Sequence, residues 1–175
     1  MAQRRPRKLE AEALWQYALR ALGGRAHSIS ELRDKLRQRA EDEPDVEGVL
    51  SRLKRYGYLD DRRLAESYAA SRLENAGLGR LRVLRDLRRK RVAPAVAEQA
   101  VRETYRQADE VVLIEAFLER KYRKIPLKAY LTERRHLASA YRKLRLAGFS
   151  SANVIRALKR YAEEAESLEE EEGGT

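Results

Sequence analysis

The chain contains no cysteine, which excludes disulfides and thiolate metal sites and is compatible with a reducing compartment. Its two histidines, His27 and His136, stand far apart and share no His-x-x-x-His spacing, so the zinc motifs are missing. No run of about 18 apolar residues occurs, and no apolar segment follows the basic start MAQRRPRK. A soluble, cytoplasmic protein without membrane contact is therefore expected. There is no Walker loop. Gly77-Leu-Gly79 begins like a dinucleotide loop, but Arg82 occupies the third glycine position and no strand precedes it. No serine sits in a nucleophile elbow. These absences lead to the expectation of a protein that is not an enzyme and carries no catalytic residue, cofactor or metal.

Positive charge is plentiful and uneven. All 38 basic residues lie at or before Arg160, whereas seven of the 28 acidic residues lie after it. Residues 1–162 therefore carry +17 against +10 for the whole chain. A body this basic suits a polyanionic partner, the alternative being a charged surface that only aids solubility.

Apolar periodicity is helical from end to end. Leu14, Tyr17, Ala18, Ala21 and Leu22 follow the spacing of a helix with one buried face, and Gly23-Gly24 is expected to stop it. Ser28 and Glu31 have capping-box spacing ahead of Leu32 and Leu36. Pro44 and Asp45 open a third helix, with Gly57 at its left-handed end. The trio then recurs: helices are expected over 61–75, over 80–91 and from Pro94 to about Tyr105, then near 108–123, 130–147 and 151–166. Leu36, Leu87 and Leu144 fall in equivalent places, each with an apolar residue four positions earlier (Leu32, Val83, Ala140). Such a period describes stacked helical units that bury a face against their neighbours. The expected fold is all-α, an elongated array of three tandem three-helix repeats at 10–59, 60–106 and 107–162. A basic disordered arm (1–9) precedes them and an acidic tail (163–175) follows.

The adjacent acids Asp60 and Asp61 stand at the start of the helix that opens the second repeat. A carboxylate there satisfies free N–H groups and opposes the helix dipole. Arg62 and Arg63 alongside would keep both ionised and disfavour a divalent cation. Ser28, Glu31, Asp60 and Asp61 are thus expected to be structural caps. The densest basic feature is the segment 80–91, which holds seven basic residues and one acid. On a helical wheel Leu81, Val83, Leu84 and Leu87 gather on one side, with Arg82, Arg85 and Arg89 opposite, facing outward. Arg80, Arg82, Arg85, Arg88, Arg89, Lys90 and Arg91, together with Arg33, Lys35, Arg37 and Arg39 of the first repeat's equivalent helix, form the expected contact surface for phosphates or an acidic protein. The third repeat's helix has Arg142, Lys143 and Arg145. Most of the nine tyrosines fall at core spacing, and base stacking by one or two is the alternative.

At this point the residues resemble a known family. The run GYLDDRRLAESYAASR (57–72), followed by Gly79 and Leu87-Arg-Arg-Lys, is similar to the signature of the RecX regulatory proteins, which modulate the bacterial recombinase RecA. Upstream, RAHSISELRDKL (25–36) resembles that family's opening segment; downstream, Tyr141-Arg-Lys-Leu144 and Gly148-Phe-Ser150 resemble its closing one. The chain departs from the family at Lys90-Arg91-Val92, where Lys-Gly is usual, so the middle helix is expected to lose its glycine stop and gain a charge on the contact face. The resemblance implies a modular all-α protein that binds in the groove of the RecA filament on single-stranded DNA, bridging subunits and restraining filament growth, ATP hydrolysis and strand exchange. The implied partners are the RecA filament and single-stranded DNA, with duplex DNA as a further candidate, and the protein is expected to act as a monomer. A rival reading has the trihelical units read duplex sequence as helix-turn-helix modules. It calls for base-reading Asn or Gln on the middle helix, and residues 80–91 have none.

Overall fold

The computed structural model describes residues 8–162 and Ala165. Among these the chain forms ten helices and no strand: α1 (Ala11–Gly24), α2 (Ile29–Arg37), α3 (Glu43–Arg55), α4 (Asp61–Ala76), α5 (Arg80–Arg89), α6 (Pro94–Thr104), α7 (Glu110–Tyr122), α8 (Leu127–Leu131), α9 (Arg134–Leu146) and α10 (Ser151–Leu158). The acidic tail, Ala165 apart, and most of the basic arm lie outside the described residues. Leu9, at the end of that arm, is paired: its N–H donates to Arg39 O (2.8 Å) and its carbonyl accepts from Glu41 N (3.0 Å).

Several helix ends depart from expectation. Gly23 and Gly24 belong to α1, and neither adopts the positive φ seen at Gly57, Gly77 and Gly148. The helix expected over 130–147 begins at Arg134. Thr132 Oγ1 donates to Ala129 O (2.7 Å) and closes the separate α8, while Glu133 is extended. The helix expected to reach 166 ends at Leu158, where bonding tightens to i→i+3 from Arg160 N to Ala157 O and from Tyr161 N to Leu158 O.

The chain divides into two compact units. One holds the described part of Met1–Ser67 together with Leu87–Ala100; the other holds Tyr68–Asp86 and the described part of Val101–Thr175. Residues 60–106 contribute to both units.

In the first unit α1 and α2 each pack on α3 around Leu14, Ala18, Leu32, Leu36, Val46, Leu50 and Leu53, all essentially inaccessible to solvent. Each leucine so buried is worth roughly 1.5–3 kcal/mol. The start of α2 is heavily bonded. Ser28 Oγ accepts from Glu31 N (3.1 Å) and Glu31 Oε2 accepts from Ser28 N (3.1 Å), the reciprocal pair that satisfies two free donors. Ser28 Oγ in turn donates to Lys90 O. The two acids diverge in role. Asp60 Oδ1 accepts from the backbone N–H of Arg62 (2.9 Å) and Arg63 (3.1 Å) and caps α4. Asp61 does not cap its own helix: its Oδ1 accepts from Ile29 N at 2.8 Å, the first residue of α2.

Burial pushes the Asp61 carboxyl above its ordinary value, against the pull of the Ile29 N–H and Lys54. A carboxyl with a raised folded value favours the folded state at acid pH and loses that contribution as pH climbs through the folded value. At neutral pH the charge is therefore a burden, while the hydrogen bond is an asset. Asp61→Asn, which still accepts from Ile29, is expected to stay within about 1 kcal/mol of the parent, whereas Asp61→Ala strands the N–H and loses roughly 1–3 kcal/mol. Urea unfolding of both variants checks this, and equal losses would contradict it.

In the second unit α7 and α9 pack on α10, and α8 on α9, around Ile114, Leu118, Leu131, Leu137, Leu144, Phe149 and Val154. Asp109 caps α7 through Val111 N (2.8 Å). Glu110 accepts from Ser150 N (3.1 Å), from Ser150 Oγ and from Asn153 Nδ2 (2.6 Å), which ties the start of α7 to that of α10. Tyr105 donates to Leu78 O (2.7 Å), and burial pushes its phenol up to about 12. Gly79 and Gly148 meet through their backbones: Gly79 N donates to Ala147 O (2.9 Å) and Leu81 N to Gly148 O (3.1 Å). A Cβ on Gly79 would stand 2.3 Å from the Gly148 carbonyl.

Candidate nucleic-acid interface

Helices α2, α5 and α9 bury the three pairs aligned from sequence, Leu32/Leu36, Val83/Leu87 and Ala140/Leu144, all at 0% exposure. On α5 this leaves Arg80, Arg85, Arg88 and Arg89 exposed. Leu81, expected inward, is 37% exposed.

The outward stripe is less free than a helical wheel suggests. Arg82 Nε donates to Asp86 Oδ1 (3.1 Å), and Asp86 also accepts from the Tyr68 hydroxyl (3.1 Å). The other end of the Arg82 guanidinium reaches Leu146 O (3.4 Å), and Arg85 donates to the same oxygen (3.1 Å). Leu146 is the last residue of α9, where a carbonyl has no helical partner and a cation opposes the negative dipole end. Arg82 and Arg85 therefore cap α9. Among the described residues no acid pairs with Arg80, Arg88 or Arg89.

Arg91 has φ +55. Its N–H donates to Arg88 O (2.9 Å) and Val92 N to Leu87 O (3.1 Å), the bond pair of a helix stop that usually employs glycine. The stop expected to be lost is thus kept, with arginine in the left-handed position. The added charge is also absorbed, because Arg91 pairs with Asp34. Left-handed backbone costs a non-glycine residue about 1–2 kcal/mol, and an exposed ion pair returns up to about 1 kcal/mol. Arg91→Gly is expected to raise stability by up to about 1 kcal/mol, seen as a higher denaturation midpoint; a lower midpoint would mean the ion pair dominates.

The basic residues of α2 are largely engaged. Arg33 forms a forked pair with Glu47 (2.7 and 3.3 Å) and Arg37 pairs with Glu43 (2.7 Å). The Arg39 guanidinium lies 5.2 Å from the Tyr17 ring centre. Lys35 is half-buried. Near it His27 is buried, and desolvation, with Arg25, Lys35 and Lys90, holds its imidazole below the ordinary value. Burial opposes ionisation of Glu31, but the Ser28 N–H, Arg25 and Lys90 together hold it below its ordinary value. No group of three or more His, Asp or Glu able to hold a metal ion occurs among the described residues. None of the described helices is long and apolar enough to cross a membrane.

Sequence models for the first and second three-helix domains of RecX match residues 15–53 and 60–101. The regulatory protein RecX of Deinococcus radiodurans is 35% identical over 162 residues, 91% of this chain and 74% of that protein. The chain belongs to the RecX family. The RecX of Vibrio parahaemolyticus is 31% identical over 141 residues, 81% of this chain and 86% of its own length. Two crystal structures share the fold: RecX from Lactobacillus salivarius (TM-score 0.64, 20% identity, covering 86% of this chain and 96% of that one) and another regulatory protein RecX (TM-score 0.65, 24% identity, covering 86% and 73%). Within this RecX chain the exposed arginines of α5 that meet no acid among the described residues are Arg80 in one unit and Arg88 and Arg89 in the other. Arg33, Arg37 and Arg91 are held in ion pairs, and Arg82 and Arg85 close a helix.

Sequence reasoning passed over one surface of the first unit. Tyr56 and Tyr58 are 57% and 59% exposed, their ring centres 6.3 Å apart, and Tyr56 lies 6.0 Å from Trp15. The signal was present in Tyr56-Gly57-Tyr58, two aromatics flanking a helix-stopping glycine rather than placed at core spacing.

Proposed function

We propose that this protein is a regulator of the RecA recombinase that binds the RecA filament on single-stranded DNA and restrains its growth, ATP hydrolysis and strand exchange. Membership of the RecX family supports the partner. The observation that carries the contact is the set of exposed arginines on α5, Arg80, Arg88 and Arg89, which have no acidic partner among the described residues. Guanidinium groups without internal acids suit phosphate oxygens or a recombinase carboxylate. The recurrence of one buried apolar pair in α2, α5 and α9 supports reading α7 to α10 as a third repeat, so that the protein is a tandem array suited to bridging successive subunits. It acts as a cytoplasmic monomer by binding alone, without cofactor or catalysis. RecA ATPase on single-stranded DNA, titrated with this protein, is expected to fall; a rate unchanged at saturation would overturn the reading.

A further inference from the structure

We infer that Tyr56 and Tyr58 form a stacking platform for unpaired bases, so that the first unit grips single-stranded nucleic acid by its bases as well as its phosphates. The inference rests on the single-stranded DNA part of the proposed function and adds a second, chemically different contact.

The platform is built by the end of α3. Gly57 takes φ +72, its N–H donates to Lys54 O (2.9 Å), and Tyr58 N donates to Leu53 O (2.9 Å). This left-handed turn brings the two flanking rings to 6.3 Å at 36° from parallel. The first ring is steadied by Trp15, over which the Arg52 guanidinium sits at 3.9 Å. Large aromatic surface is costly to leave in water; Tyr141 and Tyr122 are held at 2% and 6% exposure, and the five other tyrosines are half-buried. Two exposed rings held by a fixed turn are the exception.

Charge around the rings selects the partner. Lys54, Arg55 and Arg63 are exposed and have no ion pair among the described residues, and the Arg55 guanidinium lies 5.6 Å from the Tyr56 centre. Beside Tyr58 opens a pocket of about 200 Å³ that also touches His27, Asp60 and Arg63. Asp60, whose carboxylate accepts from the N–H groups of Arg62 and Arg63, keeps its charge and offsets part of this, leaving the rim of the rings net positive. A purely apolar partner would leave the excess positive charge unanswered, and an acidic peptide would leave two flat rings unused. An unpaired strand satisfies both, since every base has a face to stack and each link carries a phosphate. A duplex keeps its base faces covered.

Fluorescence anisotropy with the full chain, without RecA, tests this on a labelled oligothymidylate, an abasic strand of equal length and a polyglutamate of equal charge. The parent is expected to prefer the base-bearing strand to the abasic one by roughly ten-fold. Tyr58→Ala should lose that preference while binding the abasic strand as before, and Tyr58→Phe should keep it. Tyr58 is the position to change because Tyr56 also shields Trp15. Equal affinity of the parent for both strands, equal affinity for polyglutamate, or an unaltered preference in Tyr58→Ala would overturn the inference. RecA ATPase on the same variants separates the two readings. Inhibition by a parent that ignores bases sinks only the platform; base preference without inhibition sinks only the RecA reading.

Discussion

Gly79→Ala is expected to destabilise the second unit by roughly 3 kcal/mol or more, at the upper end of what overpacking costs, because the new methyl meets backbone. Its Cβ would lie 2.3 Å from both C and O of Gly148 and 2.5 Å from Phe149 N, so relief requires separating two chain segments joined by hydrogen bonds. The bonds from Gly79 N to Ala147 O and from Leu81 N to Gly148 O would be lost with the displacement. Gly148→Ala should be as severe. Its φ is +94, and a Cβ there would stand 2.2 Å from Arg82 N and 2.4 Å from Arg82 Cβ. Gly57→Ala serves as the control: φ is +72 but nothing lies within 4 Å, so only the left-handed strain of about 1–2 kcal/mol applies. Chemical denaturation of the three variants gives the ranking. A Gly79→Ala protein no less stable than Gly57→Ala would show that the 79–148 contact yields easily.

Replacing Arg80, Arg88 and Arg89 together with Gln is expected to weaken binding to single-stranded DNA or to the RecA filament by roughly ten-fold or more at low salt. It should also make the slope of log affinity against log salt shallower by about 2, since about 0.7 counterion is released per single-strand phosphate neutralised. The fold should tolerate the change, because these three side chains are exposed and meet no acid among the described residues. Arg82→Gln with Arg85→Gln is the contrast. Those side chains hold the carbonyl end of α9, so their removal should lower the denaturation midpoint and change the salt slope little. Anisotropy across a salt series, beside unfolding of both variants, distinguishes the roles. Slopes that shift equally would return Arg82 and Arg85 to the contact surface.

What could be read from sequence was what is local. Helical periodicity located the buried pairs of α2, α5 and α9, since a residue's inward or outward aspect depends on neighbours three and four positions away. The Ser28/Glu31 capping pair was legible for the same reason. Partners distant in sequence were not. A helical wheel sets Arg82 and Arg85 outward but cannot say that the end of α9 lies where they point. Nor does it reveal that Glu43 and Glu47 of α3 take up Arg37 and Arg33 of α2, which shrinks the apparent basic surface. Asp61 shows the limit sharply: its place at a helix start suggested a cap for that helix, while its carboxylate serves one whose first residue is 32 positions earlier. The departure at Arg91 misled in another way. Replacing glycine suggested that the helix stop was lost, yet backbone bonding with burial of Leu87 and Val92 holds the left-handed turn regardless.

The first unit is discontinuous, since residues 87–100 complete what residues up to 67 begin, and this bears on the order of events during synthesis. The Ser28 hydroxyl finds its acceptor at Lys90, 62 residues on, and Asp34 waits for Arg91. A ribosome that has released α1 to α3 has delivered the apolar core but not these two contacts, which form only when the end of α5 and the residues after it emerge. Domains generally fold as units, N-terminal first during synthesis, and the entropy of closing so long a loop is met late. A nascent fragment ending near residue 70 therefore holds the packed core of the first three helices with the Ser28 hydroxyl and the Asp34 carboxylate still waiting for their partners.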